Sequence, residues 1–394
     1  ARAAAFGALL RSRRGRMGGG NVIYFDNAAT TLQKPREVRE AVDYAMRRYA
    51  SPGRGGYAAA LGAAKAVYDC RETAARLFGC DGDQVVFTSS ATHGLNIAIR
   101  SLVPPGGRAV ISGFEHNSVT RPLAALGAEV LVAGRRLFDP EDTLAAFDAA
   151  IGPGVDAVIC THVSNVFGYV LPVEGIARLC AARGVPFVLD AAQSAGCLPI
   201  SARSLRAAFV AMPGHKGLLG PQGTGLLIVR HEASPIMAGG TGSVSELADM
   251  PDFLPDRLEA GTLNVPGICG LHAGLRHIIA RSQAKVDTHE RALARLLAEE
   301  LGGVPGVRCF AAENAALQTG VMSLEFEHVD CETAAANLAR CGFAVRAGLH
   351  CAPTAHSSAG TLARGTVRFS AGERNTERQT RRFAAAVRRI AGQN

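Results

Sequence analysis

Lysine is scarce in this chain: of 42 basic residues only Lys34, Lys65, Lys216 and Lys285 are lysines, and the rest are arginines. Long apolar runs are missing too. None approaches the roughly 20 residues that a bilayer-crossing helix needs, so no membrane partner is expected. Among ten cysteines none forms C-x-x-C or stands at metal-ligand spacing with a histidine, which argues against a zinc site or a dithiol motif. Scattered thiols in a chain of this size, without a secretory signal, are expected to be reduced, buried small hydrophobes in a cytoplasmic protein. Neither G-x-x-x-x-G-K-[ST] nor G-x-G-x-x-G occurs where a nucleotide site would use it. Acid is absent from residues 1–20, where Arg2, Arg11, Arg13, Arg14 and Arg16 carry more than half of the net charge of +8. That segment reads as a disordered basic tail, or as sequence upstream of a start at Met17. The remaining charge is nearly balanced and gives no reason to expect a nucleic-acid partner.

What is present suits a compact protein: hydrophobic residues make up 48% and charged residues 19%. From Asn21 to about Val265, short β-branched runs alternate with helical patterns. The runs fall at 84–89, 108–114, 129–134, 156–164, 186–192, 207–212 and 225–230, and "EGIARLCAARG" (174–184) reads as a helix ending at glycine. This alternation predicts an α/β fold with a large, mostly parallel seven-stranded sheet covered by helices. After Pro266 the pattern changes to a long helix over about 267–302, strands at 320–327 and 365–372, and helices at 331–341 and 376–391. A large domain over 21–265 and a smaller α+β domain over 266–394 are therefore expected, with the first segment, 21–35, packing on the smaller one.

In such sheets ligands bind beyond the carboxyl ends of the strands, so the residues there are the candidates. Run 84–89 leads into "SSATHG", where small residues at a helix start can cap it or leave amides free for an anion. Ser90, Ala91 and Thr92 are thus candidate phosphate contacts. The next ends bring His116, Asn165, then Asp190 with Gln193, and finally "PGHKGLLGP" with His215 and Lys216. Asp190 follows "PFVL", and a carboxylate there is costly to bury unless a cation or a proton meets it. An anion cradle, a flat ring, an amide, a buried carboxylate and a lysine together suit one cofactor, pyridoxal 5'-phosphate. Its phosphate needs the cradle, its ring nitrogen an anion, and its aldehyde a lysine amine. Arginine cannot form that Schiff base, which gives the rare lysine at 216 its reason.

The motifs "YFDNAATT" (24–31), "FEHNSV" (114–119), "THVSNVFG" (161–168), "VLDAAQSAG" (188–196), "PGHKGLLGPQGTG" (213–225) and "RLEAGTLN" (257–264) occur in this order. Together they resemble the class V aminotransferase family, pyridoxal-phosphate enzymes of fold type I, and within it the cysteine desulfurases. The resemblance implies that Lys216 carries the Schiff base, Asp190 pairs with the pyridine nitrogen, and His116 stacks on the ring and moves protons. It implies that Asn165 and Gln193 meet the phenolic oxygen or substrate, that Ala91, Thr92 and His215 hold the phosphate, and that Ala28 lies on the substrate side. Thr262 would reach the phosphate of the other protomer's cofactor in a homodimer. Two positions depart from the family: Ser90 stands where glycine is common, and Pro213 where serine or threonine is common, which removes one phosphate contact.

The segments "VRAGLHCAPTAHSS" (345–358) and "GTVRFSAGERNT" (365–376) resemble the group II, Suf-type desulfurases. Cys351 is then expected in a compact exposed loop, with His350 and Arg346 beside it favouring the thiolate, and Arg368 gripping the substrate carboxylate. The implied reaction turns L-cysteine into L-alanine and leaves a persulfide on Cys351, from which sulfur passes to an acceptor protein or a reductant. L-Selenocysteine as substrate, another class V transamination, and a non-catalytic sulfur-transfer scaffold are the alternatives.

Overall fold

The computed structural model describes residues 22–53 and 55–392, so the expectation for residues 1–20 lies outside the described residues. In chain order the strands are β1 (Ile23–Tyr24), β2 (Val85–Thr88), β3 (Arg108–Ser112), β4 (Glu129–Ala133), β5 (Ala157–Thr161), β6 (Phe187–Asp190), β7 (Phe209–Pro213) and β8 (Gly225–Val229). They continue with β9 (Val307–Cys309), β10 (Val321–Phe326), β11 (Phe343–Ala344), β12 (Arg346–Gly348) and β13 (Thr366–Ser370). All seven apolar runs of the first part enter one seven-stranded sheet, in the order β2-β8-β7-β6-β5-β3-β4. Neighbours are parallel from β7 through β4, whereas β8 runs antiparallel to both β7 and β2. β5, β6, β7 and β8 are buried along their whole length, as the sheet interior of a doubly covered layer requires. The fold is thus α/β with a large, mostly parallel seven-stranded sheet.

The parallel register aligns the strand ends. Thr161 stands opposite Asp190, and Asp190 opposite Ala211, so the segments leaving β5, β6 and β7 emerge on one edge. Each crossover helix stops where its chemistry dictates: Val173–Arg183 ends at Gly184 in the left-handed conformation. The long helix predicted over 267–302 is two helices, Val265–Arg281 and Gln283–Leu301. Ser282 between them has φ of 69°, which breaks the hydrogen-bond ladder without any proline to announce it.

The second half builds a four-stranded antiparallel sheet, β12-β13-β10-β9. β1 pairs in parallel with β11, and Phe25 right after it packs with Phe343, Phe369 and Phe383. A core separate from that of the large sheet forms around these rings, including Leu297, Met322, Leu324 and Val387. The first segment of the chain therefore ends up in the core made by the last. Among the described residues, no helix is long and apolar enough to cross a membrane.

Phe25 is fully buried at the centre of this aromatic group. Phe25→Ala is expected to cost about 3–5 kcal/mol of unfolding free energy, measured by urea denaturation of the purified protein. A loss under about 1 kcal/mol would show that the second core closes without the first segment.

Candidate active site

The carboxyl edge of the large sheet faces β12, β13 and the loop after β12 across a cleft. Of the fourteen candidates numbered in the sequence, the cleft is lined by Ala28, Ser90, Ala91, Thr92, His116, Asn165, Asp190, Gln193, His215, Lys216, Arg346, Cys351 and Arg368. Thr262 is elsewhere, lining a groove with Ser51, Tyr68, Arg71 and Glu259.

The lysine turn is held by unusually many bonds to one atom. The carbonyl of His215 accepts from the Thr31 amide at 3.2 Å, the hydroxyls of Thr30 and Thr31 at 3.2 and 3.1 Å, and Lys34 Nζ at 2.7 Å. Behind Lys216, a Cβ on Gly217 would lie 2.3 Å from the carbonyl oxygen of Ala195, so only glycine lets the turn press this close. Removal from water, then the charge of Arg368, lowers the Lys216 amine to about 8. Asp190 is buried, and its Oδ1 accepts from the Ala192 amide at 2.8 Å. Burial raises its pKa, opposed by that hydrogen bond and by Lys216, and among the described residues no ion pair reaches it. A carboxylate in that position calls for a protonated partner.

His116 caps the helix Asn117–Ala125: its Nδ1 accepts from the Ser118 amide at 3.0 Å and lies 2.9 Å from the Ser118 hydroxyl. Burial, followed by Lys216 and Arg368, lowers it to about 4, so the ring is neutral at pH 7, with its proton on Nε2. At the start of the helix Ala91–Leu102, Ser90 caps the His93 amide at 3.2 Å, while the amides of Ala91 and Thr92 make no hydrogen bond among the described residues. His215 Nδ1 is also buried without a partner among the described residues. Two free amides at a helix N-terminus, the Thr92 hydroxyl and an unpartnered imidazole nitrogen make an anion cradle. With Lys216 and an unpaired Asp190 in the same cleft, these residues fit pyridoxal phosphate.

The other wall carries different chemistry. Cys351 is exposed. It and His350 both have positive φ, 57° and 49°, a conformation costly for residues with a Cβ. Two bonds hold it: the Asn117 amide donates to the Cys351 carbonyl at 2.7 Å, and Asn165 Nδ2 to the His350 carbonyl at 2.8 Å. His350 does not supply the positive charge expected beside the thiol. It is buried, its Nε2 lies 3.1 Å from the Thr366 carbonyl, and burial holds it well below its ordinary pKa. Arg346 remains as the nearby cation. Arg368 is buried, with Nη1 donating to the Asn165 carbonyl at 3.0 Å and Nη2 to Asp26 Oδ1 at 2.7 Å.

Two residues of this environment are not evident from the sequence. Asp26 lies within "YFDNAATT" and Glu115 within "FEHNSV", but nothing in either motif says what they face. Glu115 is fully buried beneath β5, accepting from the Ser112 hydroxyl and from the Thr161 amide at 2.8 Å. Burial raises it to about 8.

A fold of this type with a lysine, a buried aspartate and an anion cradle at the sheet's carboxyl edge defines a pyridoxal-phosphate enzyme framework. The sequence model of the family described as Aminotransferase class-V matches residues 23–383, and the chain belongs to that family. It is 31% identical over 387 residues to a "Probable cysteine desulfurase" of Methanothermobacter thermautotrophicus, covering 94% of this chain and 95% of the relative. A protein of the same description from Xylella fastidiosa is 32% identical over 386 residues, covering 94% and 91%. Among solved structures, the apo cysteine desulfurase of Thermococcus onnurineus superposes with a TM-score of 0.86 at 30% identity, covering 94% of both chains. The S-sulfonic acid form of cysteine desulfurase CsdA from Escherichia coli gives 0.84 at 27%, covering 97% of both.

Because only the unprotonated amine attacks an aldehyde, lowering the Lys216 pKa to about 8 enlarges the reactive fraction at neutral pH. Added pyridoxal phosphate is expected to bond to cofactor-free protein at a rate that rises with pH and levels off above about 8, read from visible absorbance. A rate still climbing about sevenfold between pH 9 and 10 would show an ordinary lysine.

Proposed function

We propose that the protein is a pyridoxal-phosphate-dependent cysteine desulfurase, converting L-cysteine to L-alanine and taking the sulfur onto Cys351. The observation that carries this reading is the placement of Cys351 and Lys216 in one cleft, on elements belonging to different sheets. Relatives along nearly the whole chain bear the same description.

Lys216, Asp190, His116, Ala91, Thr92 and His215 would hold the cofactor, with Gln193 beside them, its amide fixed by the Ala28 carbonyl at 3.1 Å. When bound, pyridoxal phosphate supplies an electron sink conjugated to the substrate's Cα. Arg368 provides the guanidinium for the α-carboxylate, while Ala28 lies on the substrate side of the cleft. Lys216 Nζ, unprotonated at mildly alkaline pH, takes the Cα proton and returns it later in the turnover. Neutral His116 would lie against the cofactor's ring and can accept or donate through Nε2. Cys351 Sγ, as thiolate, attacks the substrate sulfur: the new S–S bond forms as the Cβ–S bond breaks, and its electron pair stays with the carbon framework. Proton return to carbon then completes alanine. The persulfide is discharged by a thiol reductant or an acceptor protein.

A homodimer completes this reading. Thr262 does not line its own cleft, and its groove adjoins a helix, Ala58–Phe78, whose Leu61 and Tyr68 are exposed on one face. Such a face suits a second copy that brings Thr262 to the partner's phosphate site.

The deciding experiment is release of sulfide and alanine from L-cysteine with a thiol reductant. Equal amounts are expected from the protein as it stands. Cys351→Ala is expected to lose at least 100-fold in rate, in the range set by removing a covalent nucleophile, while its cofactor absorbance persists. Sulfide release unchanged in Cys351→Ala would remove the thiol from the reaction, and yellow protein that releases none would refute desulfuration of cysteine.

A further inference from the structure

β3 and β5 run side by side only as far as Ile111 and Ile159. β3 stays with β4 for one residue more, Ser112 opposite Ala133, and the Gly113 amide then donates to the Ala133 carbonyl at 3.1 Å. The chain thus leaves β5 before that strand ends at Thr161. A side chain closes the gap. Glu115 Oε1 accepts from the Thr161 amide at 2.8 Å and from the Ser112 hydroxyl, which is the place a strand carbonyl would fill in a continued ladder. Its Oε2 is buried without a partner among the described residues.

This carboxyl joins two parts of the active site without lining the cleft itself. His116 comes next in the chain, and the Asn117 amide after it donates to the Cys351 carbonyl at 2.7 Å. On the other side of β5, Thr161 stands opposite Asp190. The turn that carries His116 is therefore tied to the strand edge beside Asp190.

The charge state of Glu115 follows from the same surroundings. It is fully buried. The titratable groups acting with it are Asp190 on β6 and the Cys160 thiol on β5, itself held well above its ordinary range by burial. The Lys216 amine acts instead on Asp190, as would a protonated ring nitrogen of the cofactor. Two carboxyls close together in a dry interior do not both ionise readily. Cations on the Asp190 side give the charge to Asp190 and leave the proton to Glu115. Oε1 already takes two donors, so the proton belongs on Oε2, where a neutral O–H without an acceptor costs less than an anionic oxygen without a donor.

We propose that Glu115 is a positioning residue of the active site: a neutral carboxylic acid that takes the place of the missing end of β3 and fixes the turn carrying His116. Being neutral, it does so without adding a second negative charge beside Asp190. The proposal rests on the pyridoxal-phosphate reading of the cleft and not on which substrate is turned over.

The test reads the proton and the position separately, both on holoenzyme. Infrared spectra at pH 7, compared between water and heavy water, are expected to contain the carbonyl stretch of a protonated carboxyl that Glu115→Gln removes. Loss of a carboxylate band instead would overturn the neutral acid. Position is read from the visible circular dichroism of the bound cofactor. Glu115→Gln keeps an oxygen for the Thr161 amide and is expected to retain most of the signal, whereas Glu115→Ala is expected to lose it severalfold. Equal signals in the two variants overturn the positioning role. Should Glu115→Ala fail to fold or to hold cofactor, Ser112→Ala decides: it takes one donor from Oε1 and is expected to move the carbonyl stretch to higher frequency, and an unmoved band overturns the arrangement. Yellow protein that releases no sulfide would sink the desulfurase reading and leave both spectra decisive.

Discussion

Burying a carboxylate costs several kcal/mol unless a cation or a proton meets it, and Asp190 is buried at the end of β6 with no ion pair reaching it among the described residues. Besides the Ala192 amide, the Lys216 amine acts to hold its charge, and that amine is itself pulled toward neutrality by burial and by Arg368. The two groups are therefore kept apart in a half-satisfied state. A ligand that presents a protonated ring nitrogen to the acid and a carbonyl carbon to the amine relieves both at once. The rest of the cleft is organised around this arrangement. The sheet register fixes Asp190 against its neighbours, the clamp on the His215 carbonyl fixes the lysine turn, and the helix start at Ala91 supplies free amides for the anionic end.

The cleft depends equally on a joint between two cores. Lys216, Asp190 and His116 belong to the large sheet, whereas Arg368 and the Cys351 loop are carried by the smaller one. Asn165 crosses the gap in both senses: its side chain holds the His350 carbonyl, and its own carbonyl takes Arg368 Nη1. One residue thereby sets both the Arg368 guanidinium and the thiol loop relative to the large sheet. That job uses one N–H of the side-chain amide and leaves its oxygen and second N–H for the contact with ring or substrate that the motif resemblance implies.

Much of this was legible because it is local. Apolar runs bounded by turn residues became strands, and strand ends carried the polar groups, so the large sheet delivered Ser90, Ala91, Thr92, His116, Asn165, Asp190, Gln193, His215 and Lys216 to one place. What stayed hidden is long-range or context-dependent. The partnership of Asp26 with Arg368 joins residues 342 positions apart, and no periodicity records it. The break at Ser282 has no glycine or proline behind it, only a serine held at positive φ. His350 looked like a cation beside a thiol because sequence adjacency says nothing of burial. Folded between β13 and the loop, it loses water and hence its proton.

The Cys351 loop shows why placement of the thiol is a matter of energy as well as of shape. Two successive residues with side chains at positive φ cost on the order of 1–3 kcal/mol each. The two hydrogen bonds that pin their carbonyls return about 1 kcal/mol apiece, so they leave part of the strain uncompensated. Closing that gap falls to the burial of His350 and Ala352, which anchor the loop on either side of an exposed cysteine. The backbone of such a loop cannot shift without also exposing the imidazole of His350 and freeing the Asn165 amide. The thiol is accordingly presented at the mouth of the cleft by a strained turn whose cost is met on both sides of it. In the proposed reaction, a substrate would approach a thiol whose backbone the fold holds fixed.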